Sequence, residues 1–510
     1  MNEALAQLPG LAAAHLQLSL AALALAAALC LPLGVLAARS PRTGAAVLGV
    51  ASVAQTIPSL ALLAIMVPLL ARIGFLPALV ALTLYGALPI LRNTVAGIRG
   101  VEPALVEAAR GVGMTPAQQL LRVELPLAAP VIVAGLRTSA VWVVGTATLS
   151  TPVGAPSLGN LIFGGLQTRN PAAVLVGCVA AALLALGLDQ VLALLERGVR
   201  TRERARVRVA GALLVLVGVL AAGTALSARL APERAPVRIG AKPFTEQYVL
   251  AEVLAGWIAR ETGRPSEALH GLGSTVLFDA LVKGEIDAYV DYSGTLWATI
   301  LKREGPPPSR AAVLDEVAAF LAREHGIAVA AALGFENTYA LAMRADRARE
   351  LGVTEIGQLA PLAPGLEIAG DYEFFQRAEW RALREAYALS FRAERTLDPT
   401  LMYAAVAAGE VDVISAYSTD GRIAALDLAL LEDERGVIPP YDALVLVGPG
   451  LQARAPEAVA ALGALAGAID AAAMQSMNLA VDQGGHTPAA VARDFLAGAG
   501  TQERGRSSKR

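Results

Sequence analysis

The sequence predicts two joined folds: an N-terminal all-α polytopic membrane domain of about six spans and a C-terminal α/β domain. Three observations carry that reading. Of 510 residues, 55% are hydrophobic and 17% charged, against roughly 45–50% and about 25% in a typical soluble chain, so part of the chain is built for lipid. The formal charge of −2 averages two opposite halves: residues 1–230 hold 16 Arg, no Lys and 7 acids, a net of +9, whereas the rest holds 26 basic and 37 acidic residues, a net of −11. Strand and helix signals then alternate from Val237 to about residue 498, the pattern of an α/β domain.

The membrane half is read from stretches free of Asp, Glu, Lys and Arg, namely 4–38, 43–71, 73–91, 138–168, 170–188 and 209–228. Each supplies the approximately 20 residues that a hydrocarbon layer about 30 Å thick requires. The fourth span starts nearer Leu125 and so contains Arg137. The expected spans lie near 15–38, 46–71, 75–93, 126–149, 172–195 and 208–228. The first is too long, and lacks the basic start, for a cleaved signal peptide. Arg39 and Arg42 follow span one. Arg99, Arg110 and Arg122 follow span three, and the cluster Arg197, Arg200, Arg202, Arg204, Arg206 and Arg208 follows span five. The alternate loops carry only Arg72 and Arg169. Positive charge inside places the C-terminal half outside the cell.

Several function classes are excluded. No basic soluble domain exists to neutralise phosphates, so nucleic acid is not the partner. Cys30 and Cys178 both sit in apolar runs, so the acidic half has no disulfide framework. His15, His270, His325 and His486 show no metal-ligand spacing. No Gly-Lys dipeptide occurs, so the phosphate-cradling nucleotide loop is absent. No cofactor, metal or catalytic residue is implied.

The loop between spans three and four reads Glu107-Ala108-Ala109-Arg110-Gly111-Val112-Gly113, then nine residues, then Val123-Glu124-Leu125-Pro126. Ala108 and Ala109 permit close approach and Glu107 offers a charge. Gly113 ends a helix, and Pro126 suits the first turn of the next. The loop resembles the EAA loop of ABC importer permeases at every defined position. In that family it forms a coupling helix that docks on a separate ATPase subunit. The resemblance implies a bacterial plasma (inner) membrane protein in a homodimer, working with two ATPase copies. Gln55-Thr56-Ile57-Pro58-Ser59 interrupts span two, and broken backbone at membrane depth suits a cavity or a protein-buried position. Arg137 is expected either to face the pathway or partner permease or to snorkel to an interface.

Residues 229–236, with two prolines, read as a linker, and 499–510 as a disordered tail. Val237–Gly240 reads as a strand. A helix from Thr245, its expected N-cap, to Arg260 buries Val249, Leu250, Val253, Leu254 and Ile258 on one face. Six blocks follow in order: Lys242-Pro243-Phe244-Thr245-Glu246-Gln247, Gly271-Leu272-Gly273-Ser274-Thr275, Asp287 to Thr295, Asn337-Thr338-Tyr339, Ala416 to Gly421, and Pro439-Pro440-Tyr441. They resemble the quaternary-ammonium binding proteins of ABC importers, with one glycine of the second block displaced. The resemblance covers about 237–498. It implies a two-lobed α/β periplasmic-binding-protein fold, fused here to a permease-type domain over 1–228.

A quaternary ammonium ion has no N–H and cannot be held by hydrogen bonds. Aromatic faces attract it, each contributing roughly 0.5–2 kcal/mol. Aromatics are 5% of the chain, yet seven of its ten tyrosines fall in or near these external blocks. The resemblance assigns Tyr292, Tyr339, Tyr417 and Tyr441 to a cage, and Thr295 and Asn337 to a ligand carboxylate. Phe244 is a further ligand-binding candidate. Ser274 and Thr275, at a helix start, offer anion-binding N–H groups. Tyr248, Tyr289 and Tyr372 are left to packing. The function expected is uptake of a glycine betaine, carnitine or choline type solute by ATP-driven alternating access. A neutral Thr295 favours a carboxylated betaine over choline. Ergothioneine, also a trimethylammonium betaine, is the rival ligand. A membrane-anchored sensor without transport is the rival class, and a membrane enzyme using Asp287 and Asp291 is a third reading.

Overall fold

The computed structural model describes residues 2–507 apart from 71, 169, 231–235, 304–308 and 372–373; the side chains at 2–3, 220–230, 274–275, 378, 399–400 and 499–507 also lie outside that description. Most of the expected linker, and Tyr372, therefore fall outside the described residues. The chain divides into two compact units.

The first unit is helical. In chain order it contains α1 (Asn2–Arg39), α2 (Pro41–Thr56), α3 (Ser59–Leu70), α4 (Phe75–Arg99), α5 (Pro103–Gly111), α6 (Pro116–Gln119), α7 (Leu125–Ala147), α8 (Gly159–Gln167), α9 (Pro171–Thr201) and α10 (Arg204–Leu230). Among the described residues, four helical stretches are long and apolar enough to cross a membrane: Ala4–Arg39, Phe75–Arg99, Pro116–Val153 and Pro171–Thr201. The pair α2 and α3 makes a fifth if taken as one span, bent by 101°. Pro58 causes the bend by forcing the residue before it out of the helical region: Ile57 sits at φ −70, ψ 127. The sixth expected span coincides with α10, whose side chains from residue 220 lie outside the described residues.

Small residues let α4 and α7 cross closely. Ser139 donates to the Gly86 carbonyl at 2.8 Å, and a Cβ on Gly135 would lie 2.5 Å from that of Asn93. Arg137 does not stand alone. Its guanidinium forks onto Asp189 of α9 at 2.5 and 3.0 Å and reaches Glu196 at 3.2 Å. The two acids lie on the neighbouring helix in the same chain, so a charge within an apolar helix is met by its counter-charges.

The second unit holds two five-stranded sheets. Its strands are β1 (Val237–Gly240), β2 (Ser266–Leu269), β3 (Ala288–Tyr292), β4 (Ala328–Glu336), β5 (Tyr339–Arg344), β6 (Glu367–Gly370), β7 (Ala393–Thr396), β8 (Val413–Tyr417), β9 (Leu428–Leu431) and β10 (Asp442–Val447). Lobe one has the order β2-β1-β3-β10-β4, and lobe two β7-β6-β8-β5-β9. Each pairs three parallel strands with an antiparallel one, β10 on β3 and β5 on β8. The chain crosses between lobes at Asn337-Thr338 and returns through 432–441.

Helix α11 (Thr245–Thr262) buries residues nearly all round, because lobe one's sheet and the C-terminal helices cover it on several sides. Its N-cap is Phe244 rather than Thr245; the Thr245 hydroxyl donates to Asp482 at 2.6 Å and so caps nothing. The last helix runs Pro488–Ser507, into the segment where composition predicts an unstructured tail. Gln502, Glu503 and Arg504 are compatible with helix, and propagation adds one backbone bond per residue once a helix exists.

Candidate ligand-binding site

The crossing strands bring three of the expected cage residues together. Tyr339 opens β5, Tyr417 closes β8, and the two are register partners. Tyr441 directly precedes β10. The Tyr339 ring centroid lies 5.0 Å from that of Tyr417, at 45°, and 5.9 Å from that of Tyr441, at 75°. Phe374 adds a fourth ring, 5.7 Å from Tyr339. These rings form one contiguous cluster, termed the aromatic box, whose members meet at the angles that adjacent walls would have. Tyr441 packs tightly because position 294 is glycine: a Cβ there would lie 2.9 Å from its ring atoms.

Tyr292, at the end of β3, stacks on Phe244 with centroids 6.4 Å apart. Its hydroxyl donates to Glu246 at 2.5 Å. Asn337 Nδ2 donates to the same carboxylate at 2.9 Å, while its backbone N–H donates to the Tyr441 carbonyl at 3.0 Å. Thr295 is half-buried, and its carbonyl accepts from Thr299 at 2.6 Å. The amide of Asn337 is thus directed at Glu246. Ser274 and Thr275 open the Ser274–Val282 helix, with side chains outside the described residues.

Three charged residues border the box, and the sequence reading missed all three. Arg377 places its guanidinium 5.0 Å from the Tyr339 ring centroid and pairs with Glu379 at 3.1 Å. Glu379 also accepts the Tyr441 hydroxyl. Asp371 accepts the Tyr417 hydroxyl at 2.8 Å. Burial, then the neighbouring carboxylates, push the Tyr292 and Tyr441 phenols well above their ordinary range, so these hydroxyls stay protonated donors. A signal for this wall existed in the sequence: Tyr372, Phe374, Phe375 and Trp380 crowd nine residues of a chain poor in aromatics.

The two acids of the enzyme reading are tied up. Asp287 accepts from the Arg238 N–H at 2.8 Å and from Arg454 at 2.5 Å. Asp291 pairs with Lys242 and accepts the Tyr289 hydroxyl at 2.7 Å. Tyr248 is buried and stacks on His270 at 4.7 Å. Among the described residues no group of three or more His, Cys, Asp or Glu is placed to hold a metal ion.

In the helical unit, the Glu107 to Pro126 loop folds as α5, a turn, and α6 leading into α7. Glu107 and Ala108 are exposed and Ala109 is buried. Gly113 follows the C-cap Val112 with φ +80, a left-handed conformation that favours glycine, and its N–H bonds the Arg110 carbonyl at 2.9 Å. Pro126 lies in the first turn of α7. Glu124, buried, receives a bidentate pair from Arg39 at 3.0 and 2.5 Å, tying the end of α1 to the start of α7.

A helical unit with several membrane-length helices and a two-sheet unit with an aromatic box together make a membrane permease carrying its own solute-binding domain. Residues 30–201 match the family described as binding-protein-dependent transport system inner membrane component. Residues 235–498 match the substrate binding domain of ABC-type glycine betaine transport system. A protein of Helicobacter pylori, named ergothioneine transport permease/ergothioneine binding protein, is 30% identical over 91% of this chain and 85% of its own length. A choline transport system permease protein of Bacillus subtilis is 48% identical over 36% of this chain and 84% of its own. A solved structure described as a glycine betaine/carnitine/choline ABC transporter is 29% identical, covers 51% of this chain and 97% of its own, and has a TM-score of 0.47. The chain belongs to the family of fused permease and substrate-binding proteins of ABC importers for betaine, choline, carnitine or ergothioneine type solutes.

Proposed function

We propose that this chain imports a carboxylated trimethylammonium solute, caught outside the cell between the two lobes and passed through a homodimeric permease in the bacterial plasma membrane. A separate ATPase, docked on the Glu107, Ala108, Ala109 and Gly113 loop, drives alternating access. The observation that carries this reading is the pairing of Tyr339, Tyr417 and Tyr441 with Arg377 in one site. Aromatic faces serve the ammonium end, and a guanidinium serves a carboxylate. Tyr292, with Phe244 stacked on it, and Thr295 stay in the reading as further ligand contacts; Ser274 and Thr275 remain candidates for N–H contacts. Within that class ergothioneine is the rival to glycine betaine and carnitine, favoured by the relative that shares the fused arrangement over 91% of this chain.

Calorimetry on the full chain in nanodiscs, with glycine betaine, carnitine, ergothioneine and choline, tests the ligand class. At least one carboxylated betaine is expected to bind more tightly than choline; choline binding as tightly as all of them overturns the reading. For coupling, Glu107→Lys and Gly113→Asp are expected to abolish uptake while ligand binding persists. Normal uptake in both removes the docking role.

A further inference from the structure

Glu246 sits in the first turn of α11. It is 3% exposed. Its Oε1 accepts from the Tyr292 hydroxyl at 2.5 Å and from Asn337 Nδ2 at 2.9 Å. Its Oε2 accepts from the Thr419 hydroxyl and from Asn478 Nδ2 at 3.1 Å. These four neutral donors come from four places. Tyr292 ends β3 in lobe one, and Asn337 lies at the crossing. Thr419 belongs to the loop after β8 in lobe two, and Asn478 to the lobe-one helix Ala471–Asp482.

The lobe-two loop is docked where these donors meet. Gln475 donates to the Ser418 carbonyl at 2.9 Å and Asn478 to the Thr419 carbonyl at 2.9 Å. Gly421 lies so close to the helix that a Cβ would stand 2.7 Å from that of Leu479. A buried carboxylate met only by neutral donors is an expensive way to fill space. What it alone supplies is two acceptor-only oxygens, with room for four donors. Tyr417 lies two residues before Thr419, so a fixed Thr419 also fixes the approach of that ring.

We propose that Glu246 is the positioning residue of the ligand site: it locks the Tyr292 wall, the Asn337 crossing and the loop behind Tyr417 into one arrangement, and thereby sets how long a closed site keeps its ligand. The proposal rests on the reading that the lobes close on a carboxylated betaine. Glu246→Gln keeps the shape but turns one acceptor into a donor facing donors.

The test is the release of labelled glycine betaine and labelled ergothioneine from the full chain in nanodiscs. In Glu246→Gln, release of the retained probe is expected to be about tenfold faster, with association within about twofold. The melting temperature, read alongside, checks that the variant stays folded. Thr419→Val is expected to speed release by roughly three- to tenfold, and the double variant to release no faster than Glu246→Gln alone. Unchanged release in a folded Glu246→Gln, or additive effects in the double variant, overturns the proposal. A wild-type chain that retains neither probe overturns the ligand reading and this one with it.

Discussion

Each lobe buries a glutamate that accepts a tyrosine hydroxyl, Glu246 from Tyr292 and Glu379 from Tyr441, and the two are held in opposite ways. In lobe one, burial pushes the Glu246 carboxyl up, and the bonds from Thr419, Tyr292, Asn478 and Asn337 offset only part of that. In lobe two, burial also pushes Glu379 up, but the Arg377 guanidinium and the Tyr441 hydroxyl outweigh it and hold the carboxyl below its usual range. The difference assigns the lobes different work. On the proposed reading, lobe two carries the cation, Arg377, that a ligand carboxylate would share. The Glu246 carboxylate in lobe one gathers neutral donors and offers an anion nothing. The helical unit resembles lobe two in this respect, since Arg137 is met by Asp189 and Glu196.

The largest expected effect breaks the lobe-two pair. Arg377→Met removes the proposed partner of the ligand carboxylate and leaves Glu379 buried without its cation. A charge-assisted hydrogen bond is worth roughly 1.5–3 kcal/mol, so glycine betaine should bind about 10- to 150-fold more weakly. Choline, which has no carboxylate, should lose far less. Arg377→Lys should recover only part of the loss, because an ammonium neither forks nor stacks as a guanidinium does. Equal losses for betaine and choline, read by calorimetry, would show that Arg377 supports the box without recognising the anion.

Thr295→Asp tests lobe one's own candidate for the carboxylate end. Thr295 adjoins Gly294, on which Tyr441 packs, so an added carboxylate falls near the box. It should weaken glycine betaine by about three- to tenfold and improve choline, through like-charge repulsion of one ligand and attraction of the other. The loss should stay below that of Arg377→Met. Were it larger, anion recognition would belong to lobe one and the contrast between the lobes would reverse.

The two-unit organisation was legible because lipid imposes its requirement on composition itself: charge-free runs near 20 residues are hard to disguise. The backbone of the Glu107 to Pro126 loop was legible because Gly113 and Pro126 meet backbone requirements, a left-handed turn and a first helical turn, that particular residues satisfy. Tyr339, Tyr417 and Tyr441 were found through blocks whose order survives along the chain. Arg377 and Glu379 were not, because they lie outside those blocks and converge on Tyr339 and Tyr441 only after the chain has crossed twice between lobes. Glu246 was in plain view inside a block, but its partners at 292, 337, 419 and 478 are spread over the whole domain. Asp189 and Glu196 posed the same difficulty in the helical unit: each reads as the edge of a span until α9 packs on α7.

The smallest effect is also the most direct measure of the contrast between the glutamates. For Glu246 the folded state holds its proton more tightly than the unfolded chain, whose glutamates titrate near the ordinary 4.5. Above pH 4.5 the folded state therefore binds more protons, and stability falls as pH rises through the folded value. For Glu379 the shift is downward, so its contribution is complete above 4.5 and is lost as pH falls through the folded value. The two windows lie on opposite sides of 4.5. Each unit of pKa difference corresponds to about 1.4 kcal/mol. Unfolding of the ligand-free full chain, followed from pH 3.5 to about 8, should show Glu246→Gln separating from wild type on the alkaline side of about 4.5 and gaining relative stability as pH rises. Glu379→Gln should instead be the less stable chain at neutral pH and converge on wild type on the acid side. Parallel wild-type and Glu246→Gln curves above 4.5 would mean that the four donors fully balance the burial of Glu246, and the two glutamates would then differ in geometry but not in charge.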